Sequence, residues 1–250
     1  MTKVLVTGGA GFIGSHTVDL LVDKGYDVRV LDNLEPQAHS SHLPSHLDTR
    51  AEFIEGDIRN IDVWRKSLSD VEYVVHLAGV VGIAQSMEQP LRYLDVNCLG
   101  TAAFYEALLK GPRNRIRKIV VASSKTIYGE GAYVCKTHGL VYPGIRRLDR
   151  LRRKIWDVSC PVCDSRCCPT GITEDKPPQN LSVYAVSKYA VERMALLYGH
   201  ALEIPTVTLR YFSAYGPRQS LENPYSGVSA IFLRRIMSGE PPRVFEDGRQ

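Results

Sequence analysis

The chain has 250 residues, 44% hydrophobic and 23% charged, a composition that suits a soluble globular fold and excludes a disordered or collagen-like chain. Its net charge of +4 is local, because residues 145–154 carry six cations against the single acid Asp149 and the remainder is close to neutral. A nucleic-acid partner is therefore not expected. Met1-Thr2-Lys3 leads straight into Val4-Leu5-Val6 without a signal-peptide plan. The most apolar stretch, residues 71–84, holds Glu72 and His76, so the expectation is a cytoplasmic protein with no membrane span.

Residues 4–6 predict a first strand, followed by Thr7-Gly8-Gly9-Ala10-Gly11-Phe12-Ile13-Gly14 and a helix over 12–24 that Gly25 closes. Short β-branched runs at 28–31, 53–54, 73–77 and 119–122 predict further strands, and residues 90–110 a second long helix. Residues 130–178 are rich in cysteine, arginine and proline and read as an insertion between two core elements. A helix over 182–203, a strand over 206–211, a turn at 215–218 and a helix over 228–237 follow, and strand signals begin again near the end. Strands alternating with helices imply a doubly wound α/β fold with a parallel Rossmann-type sheet covered on both faces.

Gly8, Gly11 and Gly14 follow a strand and open a helix, the context in which such glycines cradle a dinucleotide pyrophosphate at the helix N-terminus. Asp32 ends the second strand, where a carboxylate bonds the adenosine ribose hydroxyls and repels a 2′-phosphate, which favours NAD over NADP. Tyr184 and Lys188 stand one helical turn apart and project from the same face. A nearby cation stabilises phenolate, so this tyrosine is a candidate base close to neutral pH.

These segments resemble the extended short-chain dehydrogenase/reductase family, and within it the NAD-dependent nucleotide-sugar epimerases and dehydratases. Besides the glycine loop and Tyr184 to Lys188, the matching segments are Gly56-Asp57-Ile58, His76-Leu77-Ala78-Gly79, Asn97 with Gly100-Thr101, Ser123-Ser124 through Gly129, and Arg210-Tyr211-Phe212. The resemblance implies that Tyr184 is the acid/base, Ser124 its partner on the substrate hydroxyl, and Lys188 a ligand of the nicotinamide ribose. It puts Phe12, Ile13, Asn33, Asp57, Ile58, Leu77, Ala78, Gly79 and Tyr211 beside the cofactor, and Ser86 and Ser213 with Ser124 beside the substrate. Ser213 stands where the family usually has an asparagine that helps hold the substrate diphosphate.

The resemblance also separates the possible chemistries. A 4,6-dehydratase uses an Asp-Glu pair directly after the serine; here those positions hold Lys125 and Thr126, neither of which is a carboxylic acid. Epimerisation at C4 needs only Ser124, Tyr184, Lys188 and retained NAD, and is the expected activity; a dehydratase or reductase, or a non-catalytic NAD-binding regulator, are the alternatives. Family members often dimerise through two helices, here those starting at Pro90 and Ser182, so a homodimer is expected. The family continues past an Asp-Gly turn such as Asp247-Gly248, so residues 212–250 read as the start of an incomplete substrate lobe on an NAD-binding domain spanning the chain.

Five of the six cysteines lie between Cys135 and Cys168. Cys135-Lys-Thr-His138 and Cys160-Pro-Val-Cys163 form two ligand pairs with the spacing of a zinc ribbon, and predict a structural zinc in the insertion, with Cys167 or Cys168 as substitutes for His138. Cys98 reads as a buried apolar residue. His39, His42 and His46 read as surface histidines in a polar loop. The insertion resembles that of bacterial deoxysugar epimerases acting on dTDP-linked rhamnose.

Overall fold

The structure is a computed structural model that describes residues 1–39, 43–111, 115–221, 223, 225 and 227–248. The first half runs β1 (Lys3–Thr7), α1 (Phe12–Asp23), β2 (Asp27–Asp32), a single turn α2 (Pro36–His39), β3 (Glu52–Glu55), α3 (Ile61–Ser67), β4 (Tyr73–His76), α4 (Ile83–Glu88) and α5 (Pro90–Tyr93). A π-helical stretch, Leu94–Leu99, joins α5 to α6 (Gly100–Leu109), and β5 (Lys118–Ser124) follows. The rest comprises β6 (Ala132–Cys135), β7 (Gly139–Val141), α7 (Leu148–Arg152), β8 (Cys168–Thr170), α8 (Val183–Ala201), β9 (Thr206–Tyr211) and α9 (Val228–Met237).

Six strands form one parallel sheet in the order β3-β2-β1-β4-β5-β9. The chain order reverses between β1 and β4, and the loops after these strands open a crevice at their carboxyl ends, where such folds bind ligands. Alternation along the strands sorts the core into two layers. Leu5, Leu31, Val74, Ile119 and Val121 face Trp64, Phe104, Leu108, Val191 and Ala195 of α3, α6 and α8. Val4, Val6, Val28 and Val30 face Val18 of α1 and Leu47. The expected cover on both faces holds fully only over the β2, β1 and β4 half. On β9, Val207 and Leu209 remain 40% and 37% exposed, and of α9 only Ala230 is buried.

The expected helix over 90–110 forms as one rod, but its middle is π-helical, which gives that turn an extra residue. Residues 130–178 form a small antiparallel sheet, β7-β6-β8, with α7 beside it. The strand signals near the end of the chain do not mature: residues 241–245 have no regular structure. Among the described residues no helix is long and apolar enough to cross a membrane.

Candidate active site

A cavity of about 1050 Å³ opens at the crevice, the upper end of what a small-molecule site needs. All fifteen residues expected beside the cofactor line it. The glycine loop is built for close approach. Gly8 has φ +68°, and a Cβ on it would lie 2.7 Å from the Ala78 nitrogen, while a Cβ on Gly14 would collide with the Gly8 carbonyl. The α1 N-terminus has no side-chain cap and no acid in its first turn. Gly11, Phe12 and Ile13 at this end line the cavity, and the unpaired amides of a helix's first turn fit an anionic pyrophosphate.

At the far end Asp32 accepts hydrogen bonds from the Ala10 amide at 3.1 Å and the Leu34 amide at 3.0 Å. His39 does not lie on the surface as expected: its side chain is only 6% exposed and its Nε2 stands 3.6 Å from Asp32 Oδ1. His46 also lines the cavity, and among the described residues its buried Nε2 has no partner. Burial, aided by the neighbouring Arg218, pushes its pKa down. Local composition, which is polar here, does not show the burial of either side chain; His42 lies outside the described residues. Asn33 Nδ2 donates to Asp57 at 3.4 Å, and Arg59 clamps the same carboxylate at 2.6 Å, which holds its pKa below the usual range.

Ser124, Tyr184 and Lys188 meet in the same cavity. Ser124 ends β5, and its Oγ accepts from the Thr126 amide at 3.2 Å and the Thr126 hydroxyl at 2.9 Å. Its own hydrogen is thus free to donate, with the Tyr184 phenol in the same cavity. Burial pushes the Tyr184 pKa up, and the Ser124 bond offsets part of that. The acidification expected from the lysine is not what dominates, because the same burial pushes Lys188 down to about 8. Removal from water disfavours charge on both groups.

Two buried webs fix this geometry. Asn97, in the π-helical stretch, donates to the Val80 carbonyl and to Ser187 Oγ and accepts from the Val80 amide, while Ser187 Oγ donates to the Tyr184 carbonyl. Glu192 of α8 accepts from Ser123 at 2.6 Å and pairs with Arg210 of β9 at 2.6 Å. Beneath them His76 is held neutral, its pKa pushed down to about 3 by burial and then by Lys188. Thr101 donates to the Asn97 carbonyl, so His76 Nε2–H donates to Thr101 Oγ1 at 3.2 Å and Nδ1 accepts from Thr7 at 2.7 Å.

The substrate-side expectations fare differently. Ser86 does not line the cavity; it is fully buried and gives its hydroxyl to the Ile83 carbonyl at 2.6 Å. Its neighbour Gln85 is the cavity residue, bonded to Gln37 and to the Tyr93 hydroxyl. Ser213 lies just outside the lining, where its Oγ accepts from Lys125 Nζ at 2.7 Å. Gln37, Gln85, Arg92, Thr126 and Phe212 are cavity residues that sequence reasoning did not single out as ligands. For Thr126 a signal existed in its place two residues after Ser124.

Within residues 130–178, Cys135, His138, Cys160 and Cys163 offer ligand atoms that all lie within 4.8 Å of one another. Cys135 Sγ stands 3.6 Å from His138 Nδ1 and 3.7 Å from Cys163 Sγ, and Cys160 Sγ stands 3.6 Å from the same nitrogen. Donors at zinc bond lengths on a tetrahedron are separated by about 3.6 Å for sulfur to nitrogen and about 3.8 Å for sulfur to sulfur. The donor set therefore fits one tetrahedral ion. Cys167 packs beside it, donating to the Ser165 carbonyl, and Cys168 is exposed. Cys98 is only part-buried, its thiol directed at the Ser187 carbonyl.

The chain is 35% identical over 250 residues to a dTDP-L-rhamnose 4-epimerase from Burkholderia thailandensis, covering 98% of this chain and 67% of the relative. It is similar, at 31% identity and a TM-score of 0.75, to the UDP-glucose 4-epimerase of Thermotoga maritima solved with UDP-glucose, covering 99% of this chain and 67% of that one. At 27% identity and a TM-score of 0.76 it is also similar to the UDP-glucuronic acid 4-epimerase of Bacillus cereus, solved with UDP-glucuronic acid and NAD, with 100% and 67% covered. The chain thus spans about two thirds of these relatives' length. The profile of one family matches residues 4–141 and 164–250, leaving out 142–163 within the cysteine-rich segment. With that match across most of its length, the chain belongs to the NAD dependent epimerase/dehydratase family.

Proposed function

We propose that the protein is an NAD-dependent epimerase of a nucleotide-linked sugar, inverting C4. The observation that carries this reading is the meeting of Ser124, Tyr184 and Lys188 in one cavity with the uncapped glycine-loop helix. Gly8, Gly11, Phe12, Ile13 and Gly14 hold the pyrophosphate, Asp32 and Asn33 the adenosine ribose, and Asp57 and Ile58 the adenine. Leu77, Ala78, Gly79 and Tyr211 line the nicotinamide half, with Lys188 on its ribose. NAD, held there, would supply the hydride acceptor and donor that inversion at the sugar carbon needs.

Tyr184 takes the proton of the reacting hydroxyl and gives it back to the same oxygen on the return step. Ser124, anchored by Thr126, spends its free hydrogen on that oxygen or on the phenolate. Lys188 supplies positive charge as the phenol ionises. Lys125 and Thr126 offer no carboxylic acid for eliminating water, which favours epimerisation over dehydration.

Zinc closes the insertion at Cys135, His138, Cys160 and Cys163, a structural site supported by the tetrahedral spacings. Residues 130–178 act as an insertion that the ion holds together. The enzyme works in the cytoplasm as a homodimer. Exposed Leu91, Leu99 and Leu197 on the helical rod and α8 support that pairing.

The reading is tested by incubating the protein with UDP- and dTDP-linked hexoses and resolving the products by NMR. A C4 epimer from at least one is expected, and a panel returned unchanged would sink the assignment.

A further inference from the structure

The crevice has two flanks that side chains join. In the sheet, β1 lies between β2 and β4, and the glycine loop leaves the carboxyl end of β1. Gln37 belongs to α2, which follows β2, and Gln85 to α4, which follows β4. A link between them therefore crosses the ground beyond β1, and both residues line the same cavity as the glycine loop. Such a link exists. The two amides pair reciprocally: Gln37 Nε2 donates to Gln85 Oε1 at 3.3 Å, and Gln85 Nε2 donates to Gln37 Oε1 at 3.2 Å.

The Gln37 side chain has nothing left for a ligand. Its second amide hydrogen goes to Asn223 Oδ1 at 3.0 Å, and its oxygen also accepts from Arg92 Nη1 at 3.2 Å. Two donors and two lone pairs are the full capacity of a glutamine amide. Arg92 is itself held by Glu35 at 3.0 Å, and Asn223 Oδ1 accepts from the Tyr225 amide at 2.9 Å. Gln85 is 6% exposed, and its Oε1 lies 3.0 Å from the Tyr93 hydroxyl. A cavity side chain whose every polar site is spent on other segments ties those segments together rather than reading what lies between them.

We infer that Gln37 and Gln85 form a strap across the crevice that controls the exchange of NAD. This rests on the NAD-dependent reading proposed above and extends it to cofactor retention. Inversion needs one cofactor molecule for both hydride transfers, so a dinucleotide that leaves between them strands an oxidised sugar. The strap is built of hydrogen bonds between side chains, each weak enough to open, and a closed strap slows entry and escape alike.

The test follows NADH fluorescence by stopped flow on the full chain stripped of NAD, with association read on mixing and dissociation on a chase with excess NAD. Gln37→Leu should raise both rate constants by about 10-fold and leave Kd within about 3-fold, because opening the strap speeds both directions. Gln85→Leu should do the same, and the double variant should add little, since either change alone breaks the pair. Gln37 is part-exposed, so its variant carries the test even where loss of the buried Gln85 amide unfolds the chain. Unchanged rates in folded Gln37→Leu would overturn the strap. Faster dissociation with unchanged association would make the residue a ligand of the cofactor and overturn the strap equally. A wild-type chain that binds no NADH would sink the NAD-dependent reading itself, and the strap with it.

Discussion

Thr126 gives its hydroxyl hydrogen to Ser124 Oγ at 2.9 Å, while its backbone amide reaches the same oxygen at 3.2 Å. Both lone pairs of the serine are thereby occupied by one residue, and its hydrogen is left to point at Tyr184 and the substrate. The residue where a dehydratase resembling this family keeps a catalytic glutamate is used here to aim a neighbour.

Thr126→Val should therefore lower kcat by roughly 3- to 10-fold with little change in KM, since it removes one of two donors that orient Ser124. Ser124→Ala should cost more, about 10²-fold. Steady-state kinetics on an active sugar nucleotide checks both; equal, undiminished kcat in the two variants would remove the serine from the mechanism.

Tyr184→Phe deletes the proton acceptor but keeps the ring, which stands 6.1 Å from Tyr93 in an edge contact. Turnover should fall by about 10²- to 10⁴-fold, while NAD released on denaturing the purified variant should match wild type. Activity within a few-fold of wild type would refute the assigned base.

The sheet and the cofactor crevice were readable because burial on both faces of a parallel strand demands β-branched runs, and a pyrophosphate demands glycine where a Cβ would clash. Other features depend on the third dimension. Gln85 rather than Ser86 lines the cavity because the phase of a short helix entered from Gly82 is set by its packing. The π-helical turn that brings Asn97 to Val80 leaves no trace in the apolar spacing of Leu94 and Leu99. His39 looked solvated because serines and prolines surround it, yet a contact to Asp32 across the loop buries it. Tyr184 and Lys188 were recognisable as a pair, but the sign of the phenol shift was not, since burial cannot be read from a four-residue spacing.

Lys188 stores a stability cost in the protein without NAD. Its pKa falls from an ordinary 10.5 to about 8 through burial, a difference on the order of 3 kcal/mol. Below about pH 8 the lysine is protonated in both folded and unfolded states, and the whole penalty applies. Between about 8 and 10.5 the unfolded chain holds a proton that the folded chain has released, so stability rises with pH. Lys188→Met should accordingly be more stable than wild type at pH 7 by about that amount, with the gap closing by pH 10.5. Urea unfolding of NAD-free proteins at several pH values measures it; a pH-independent gap, or a less stable variant, would contradict the buried charge.

The core of residues 130–178 is a small cluster, Cys135, Val141, Cys160 and Cys167, with Tyr133 packed against them. So small a cluster supplies little hydrophobic stabilisation, and the proposed tetrahedral ion would add the rest. Purified protein should carry about one zinc per chain, and stripping it with a strong chelator should expose residues 130–178 to proteolysis. The local loss should travel to the active site by a short path. Gln179 donates its amide to the Ile127 carbonyl at 2.8 Å, one residue beyond Thr126, and its side chain reaches the Tyr142 carbonyl at 3.3 Å. Lys176, buried over the Tyr142 ring, holds Gln179 Oε1 at 3.0 Å. Cys160→Ser should thus release the metal and reduce kcat by several-fold while NAD stays bound at the distant glycine loop. A metal-free protein with an intact, protease-resistant insertion would show that the four ligands fold without an ion.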